Sequence, residues 1–233
     1  MNIRILHLAE GARSATGLTV IIDVFRAFTL ETYMMRNHAQ RIIPVSGIDF
    51  AFSYRETHPE NTLLCGERNG IMVEGFDYGN SPSQLEHVDL TGKTVIHTTS
   101  AGTQGIANAI HADEIITGSL VNARAIAAYI LQKNPREVSL VCMGWNASEQ
   151  TDEDNLCADY IKSLLEGNPL PDIRERIEAL KSTNGAKFFD PAQQSVFPER
   201  DFHLCVQVDS VPFVLRLNKD SDLPYMERID VLS

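Results

Sequence analysis

Six short apolar runs alternate with longer stretches of helical spacing, and that alternation confines the chain to a layered α/β fold. TVIIDV (19–24), RIIPV (41–45), TLLC (62–65), TVIH (94–97), EIITG (114–118) and EVSLVCMG (137–144) read as strands. They are apolar almost without interruption, which suits strands covered on both faces. The intervening periodicity predicts helices over 27–38, 48–56, 102–110, 121–133, 152–166 and 172–181. Strand–helix–strand order implies a three-layer α/β/α architecture around a largely parallel or mixed sheet. Beyond 181 the pattern fades. Residues 182–204 mix Gly, Pro and aromatics without a period, after which DFHLCVQVD suits a helix and VPFVLRL a strand. No polar linker interrupts the chain, so residues 1–233 read as one domain.

TVIIDVFRAFTLETYMMRNHAQRIIPV and TVIHTTSAGTQGIANAIHADEIITG share the order strand, polar turn, helix, strand, and the second is two residues shorter. An internal duplication and a pair of unrelated βαβ units both account for this. Under either, DVFRAFT and TTSAGT sit just past a strand and at the start of a helix, the edge where open α/β sheets bind ligands.

Composition narrows the partners. A formal net charge of −11 argues against nucleic acid and anionic membrane, which need basic surface. No run approaches the ~20 apolar residues that span a bilayer, and MNIRILHLAEG lacks a secretory h-region, so a cytoplasmic protein is expected. Cys65, Cys142, Cys157 and Cys205 are scattered, with no CxxC pair, and read as idle thiols rather than zinc ligands. A small anionic ligand held by local arginines and amides remains compatible, and the oligomeric state stays open.

Four stretches carry chemistry. In TTSAGT the hydroxyls of Thr98, Thr99, Ser100 and Thr103, with Gly102 at a helix start, outline an anion cradle; the same spacing also suits simple capping. DVFRA sets Asp23 and Arg26 at one strand end, where a carboxylate suits Mg²⁺ and a guanidinium suits phosphate, or where the two form a cap and local ion pair. The DxD pattern of large aspartyl-phosphate phosphatases is absent, because Phe25 holds its second position. GERNGIMVEGFDYGNSP is turn-rich, with Glu67 and Arg68 after a strand and Asn80 and Ser81 before Pro82; its charges serve a ligand or lie solvated. TDED, after CMGWN, has capping-box spacing from Thr151 to Asp154, and Glu153 or Asp154 could also face a metal. His97 and His203 read as structural, hydrogen-bonded histidines.

DVFRA, GERNG with GFDYGNSP, TTSAGT, GSLVNA, CMG with TDED, and DFHLCVQVDSVPFV occur in the order and at about the spacing of the 2-phosphosulfolactate phosphatase family, which the chain resembles from about residue 18 to 215. The resemblance implies a Mg²⁺-dependent hydrolase with a fold of the family's own. Its expected reaction converts 2-phosphosulfolactate, a small anionic substrate, to sulfolactate and phosphate on a route to coenzyme M. It places Asp23, Arg26, Glu67 and Arg68 in catalysis. Asn80, Ser81, Thr98, Thr99, Ser100, Gly102, Thr103 and Asn122 would hold phosphate or substrate, and Asp23, Glu153 and Asp154 the metal. Glu74, outside these motif positions, is expected in solvent. The chain departs from the family pattern at TTSAGT (commonly TTNGT), CMG (CAG) and Phe25 (Leu). Another small phosphorylated hydroxy acid as substrate, and a non-catalytic anion-binding module, are the alternative readings.

Overall fold

GLTVII, buried at every position, is the strand around which the sheet assembles. The computed structural model describes residues 1–231. Their elements run β1 (Asn2–His7), α1 (Leu8–Ser14), β2 (Gly17–Ile22), α2 (Ala27–Arg36), β3 (Arg41–Pro44), α3 (Ile48–Thr57), β4 (Thr62–Arg68) and β5 (Ile71–Met72). Then follow α4 (Pro82–Leu85), β6 (Thr94–Thr98), α5 (Gly102–Asn108), β7 (Ala112–Gly118), α6 (Ala123–Lys133), β8 (Glu137–Cys142), α7 (Asp152–Leu165), α8 (Ile173–Ala179), α9 (Glu199–Cys205), β9 (Phe213–Asn218) and β10 (Tyr225–Asp230). All six apolar runs are strands of one mixed sheet, in the order β1-β8-β2-β7-β9-β10-β3-β6-β4-β5.

The sheet has two parallel blocks. β1, β8, β2 and β7 form one, and β3, β6 and β4 the other. The hairpin β9–β10 separates them and is antiparallel both to β7 and to β3. Three successive reversals make the blocks point in opposite directions along the ladder. Even so, Gly102, after β6, lies so close to Asp23 and Ala27, after β2, that a Cβ there would stand 3.0 Å from each. The sheet must therefore curl across the hairpin, where β10 meets β3 through the single register pair Met226↔Ile42. The two look-alike segments cross reciprocally: β2-α2 leads from the first block into β3 of the second, and β6-α5 leads from the second back into β7.

Helices cover both faces. Ile126, Ile130, Ala158 and Ile161 of α6 and α7 pack on Val20, Ile22, Val138 and Leu140, while Phe28, Leu30 and Met34 of α2 join Ile21, Val141 and Ile42 on the other face. β1 and β10 escape the sequence pattern because half-buried polar residues interrupt them. The helix expected over 121–133 opens as a 3₁₀ turn (Leu120–Asn122), since Asn122 Oδ1 accepts the Ser119 N–H at 3.1 Å and tightens the chain there. β4 also continues past TLLC to Arg68. Its tail pairs Glu67 with Met72 and Arg68 with Ile71 across Asn69–Gly70, both at positive φ (52° and 81°), the twist that suits a two-residue hairpin.

Gly17 starts β2 at φ 70°, and a Cβ there would lie 2.3 Å from the Glu137 carbonyl oxygen. Gly17→Ala should lower the unfolding free energy by about 1–3 kcal/mol in urea titrations, through left-handed strain and the clash with β8.

Candidate active site

The curl brings the C-terminal ends of β2, β6 and β8 against the β4–β5 turn, and a narrow cleft of about 20 Å³ opens among them. Asp23, Arg26, Glu67, Asn80 and Ser100 line it, with Phe25, Trp145 and Phe197 as an aromatic wall. Of the parallel strands read from the sequence, β2, β4, β6 and β8 contribute here, and β3 and β7 do not.

Asp23 uses only half of its carboxylate. Oδ1 accepts the Ala27 N–H at 3.2 Å, so it caps α2, while Oδ2 has no donor among the described residues. Asp154, on the first turn of α7, is fully used. Its Oδ1 accepts the Val24 N–H and its Oδ2 the Gly144 N–H, both at 2.8 Å, stitching the ends of β2 and β8 to α7. Glu153 is buried beside it, and its Oε2 has no partner. Burial above all pushes these acids up. Asp23 rises to about 8 with the Asp154 charge adding to the effect, Asp154 to about 8 with Glu153 adding, and Glu153 to about 7. No group of three or more His, Cys, Asp or Glu side chains at metal-binding separations occurs among the described residues. The expected trio of Asp23, Glu153 and Asp154 does not close on one point, because the backbone amides turn Asp154 toward β2 and β8.

Glu67 clamps the TTSAGT loop. Its Oε1 accepts the Ser100 N–H at 2.6 Å, and its Oε2 accepts the Gly70 N–H at 2.6 Å and the Ser100 hydroxyl at 3.1 Å. Thr99 and Thr103 satisfy each other: the Thr99 N–H donates to Thr103 Oγ1 at 3.0 Å, and the Thr103 N–H to Thr99 Oγ1 at 3.1 Å. The Ser100 amide, expected to face phosphate, thus already holds a carboxylate, and the threonines cap α5. Ala101 and Gly102 keep amides without an acceptor among the described residues. Arg68 lies outside the cleft lining, donating to the carbonyls of Glu67 and Ser46 and to Thr98 Oγ1 at 2.9 Å. Asn122 is also outside it; its Oδ1 accepts from Ser119, while its buried Nδ2 has no partner among the described residues. Glu74 is exposed.

Arg26 and Asp201 form a buried ion pair at 2.8 Å, with side chains 3% and 0% exposed. Arg26 also donates to the carbonyls of Val196 (2.7 Å) and Gly70 (3.2 Å) and stacks 4.8 Å from the Phe197 ring centroid. Asp201 Oδ1 accepts the Ser81 hydroxyl and the Ser83 N–H, each at 2.9 Å. Ser81 therefore serves this hub, while Asn80 faces the cleft with Oδ1 unpartnered. His97 is the structural histidine expected, its Nδ1 2.8 Å from Glu31 Oε1 with both side chains fully buried. His203 instead lies on the surface, 3.3 Å from Glu199.

Trp145, Phe197 and Lys187 were not marked by the sequence, and Asp201 entered only as the first residue of DFHLCVQVDSVPFV, with no role assigned. Lys187 lies in the 3₁₀ turn Ala186–Phe189, with Nζ 4.3 Å from the Trp145 ring centroid. Burial lowers its pKa, while the Glu153 charge acts to raise it.

Two outcomes are expected. Arg26→Ala should destabilise the fold by about 3–5 kcal/mol in urea titrations, because Asp201 is left as an uncompensated buried charge. Asp23 has a folded-state pKa near 8 against an ordinary 3.8, so the native chain keeps a proton that the unfolded chain releases within that window. Its contribution to stability is full below the ordinary value and is lost as pH rises through the folded one. In EDTA, Tm should fall from pH 6 to pH 8.5, and Asp23→Asn should make that fall shallower; an unchanged slope would remove Asp23 from the titration.

A sequence profile described as 2-phosphosulpholactate phosphatase matches residues 5–220. A Bacillus subtilis protein named probable 2-phosphosulfolactate phosphatase is 30% identical over 214 residues, covering 91% of this chain and 92% of its own length. A Carboxydothermus hydrogenoformans protein of the same name is 41% identical over 166 residues, covering 71% and 68%. A profile match spanning nearly the whole chain, together with a relative 30% identical over almost its full length, places this protein in the 2-phosphosulfolactate phosphatase family.

Proposed function

We propose that the chain is a Mg²⁺-dependent phosphatase that hydrolyses 2-phosphosulfolactate to sulfolactate and phosphate, a step on a route to coenzyme M. The names of its relatives support the reaction. The observation that carries the metal dependence is an excess of acid. Asp23 and Glu67 line the cleft and Glu153 and Asp154 lie close by, whereas Arg26 is already neutralised by Asp201. Burial disfavours the ionised form of these acids, and a cation entering with the phosphate ester would let them ionise as its ligands.

The residues fit Mg²⁺. That ion favours carboxylate oxygens, needs only one or two of them, and takes its remaining ligands from water and phosphate. Asp23 Oδ2 and Glu153 Oε2 are the spare carboxylate oxygens, and Asn80 Oδ1 is a neutral one. When bound, the ion would offset the charge of the acids and polarise the phosphoryl group. Asp154, through the Val24 and Gly144 amides, keeps the ends of β2 and β8 in register and so fixes Asp23. Glu67 holds the Ser100 loop, and the neighbouring Ala101 amide, beside the cleft and without an acceptor among the described residues, is available to the anion. Phe25, Trp145 and Phe197 limit water. With Oδ1 tied to the Ala27 amide, Asp23 has one oxygen for one of two roles: Oδ2 holds the cation, or, where it is left free, takes a proton from the attacking water and passes it to the alcohol oxygen as the P–O ester bond breaks.

TTSAGT, one residue longer than the common family loop, favours as second reading a different small phosphorylated hydroxy acid, which a panel with and without the sulfonate would separate. A cytoplasmic location accords with four cysteines that are all free and buried. No helix among the described residues is long and apolar enough to cross a membrane.

Phosphate release from 2-phosphosulfolactate should require Mg²⁺ and stop in EDTA. Asp23→Asn should lower kcat/KM by at least about 100-fold; full Mg²⁺-dependent activity in that variant would refute both roles of Asp23.

A further inference from the structure

Two of the three cations near the cleft are committed to the fold. Arg26 binds Asp201 and the carbonyls of Val196 and Gly70, and Arg68 binds Thr98 and the carbonyls of Glu67 and Ser46. Lys187 is different. Its Nζ makes no hydrogen bond or ion pair among the described residues, and it lies 4.3, 5.1 and 5.7 Å from the ring centroids of Trp145, Phe197 and Phe188. Trp145 and Phe197 line the cleft, and Glu153, Asp23 and Asp154 are near enough for their charges to act on the ammonium. A half-buried ammonium among aromatic rings has lost water and keeps N–H donors unused. The rings fix its position and leave those donors for an acceptor arriving from the cleft.

We propose that Lys187 is a specificity-determining residue that binds the second acidic group of the substrate, the carboxylate or sulfonate on its carbon skeleton, while the phosphoryl group lies at Asp23. This rests on the phosphatase reading above. Placement separates the two anions. Asp23 and Ala101 line the cleft where β2 and β6 end, and Lys187 lies against Trp145 and Phe197, the rings that line its other side. A phosphate ester with no other charge leaves Lys187 unused; a phosphorylated hydroxy acid engages both ends.

The competing role is a countercharge for Glu153, which would matter equally for every substrate. Steady-state kinetics of the wild type, Lys187→Gln and Lys187→Arg with 2-phosphosulfolactate and with 4-nitrophenyl phosphate decide between them. Lys187→Gln should raise KM for 2-phosphosulfolactate by about tenfold to a hundredfold, as loss of a charge-assisted hydrogen bond implies, with kcat little changed. It should leave both constants for 4-nitrophenyl phosphate unchanged, and Lys187→Arg should recover most of the lost affinity. Equal losses on both substrates, or none on either, overturn the proposal. If the wild type hydrolyses neither ester, the phosphatase reading fails, and calorimetry with sulfolactate still decides this one. Binding weakened at least tenfold by Lys187→Gln sustains it, and equal or absent binding ends it.

Discussion

The buried pair of Arg26 and Asp201 holds the rest of the site together. Through it the N-terminus of α2, the Gly70 carbonyl of the β4–β5 turn, the Ser81–Ser83 turn, the Val196 carbonyl and α9 share one hydrogen-bonded cluster. These segments are distant in sequence, and each forms part of the cleft's rim or support. Desolvating two charges is expensive, and only near-complete hydrogen bonding offsets it. Here both Asp201 oxygens and both Arg26 terminal nitrogens have partners. The arrangement also explains why an arginine at a strand end, in reach of the cleft, is a poor candidate for the main phosphate cation: its charge is already cancelled.

The carboxylates nearby divide by what the backbone does to them. Asp154 and Glu67 have every oxygen occupied by amides or a hydroxyl, so they act as struts joining loops that would otherwise move independently. Asp23 and Glu153 each keep a spare oxygen in a setting that resists ionisation. An acid in that state costs stability near neutral pH, and strain of this kind concentrates where a ligand relieves it. The struts and the spare oxygens are adjacent in the chain at Glu153 and Asp154, so a single helix turn supplies both.

The core strands and the sheet edge were legible because their signals are local. Continuous apolar runs specify buried strands, and the polar residues that follow them mark one edge. Asn69–Gly70 was equally local evidence for a hairpin, and reading the segment only as turn-rich missed it. The partners of those motif residues were not legible. Asp201 lies 175 positions from Arg26, and nothing in ERDFHLC distinguishes a buried acid from the exposed Glu199 beside it. Lys187 and Phe197 fall in a segment of short 3₁₀ turns without periodicity, where only tertiary packing decides which side chain faces the cleft. Spacing could not tell that Ser100's amide would be taken by Glu67, since the two meet only when β4 and β6 pair.

The reciprocal crossing of the two look-alike segments gives the cleft its polarity. After β2, Asp23 accepts the amide of Ala27; after β6, Thr99 accepts the amide of Thr103. Both turns cap their helices across the same interval and meet where Gly102 abuts Ala27 and Asp23. A methyl at 102 would stand 3.0 Å from Asp23 Oδ2, Ala27 Cβ and Phe28 Cζ, so these side chains would have to give way by a few tenths of an ångström. The caps differ in charge, however: one is an acid with an oxygen to spare, the other a neutral hydroxyl already consumed. A second acid in place of Thr99 would have set two like charges facing each other in a dry site, at a cost beyond that of burial alone. With a neutral cap, the second turn sets no further charge against Asp23, and the two turns meet with a single acid between them.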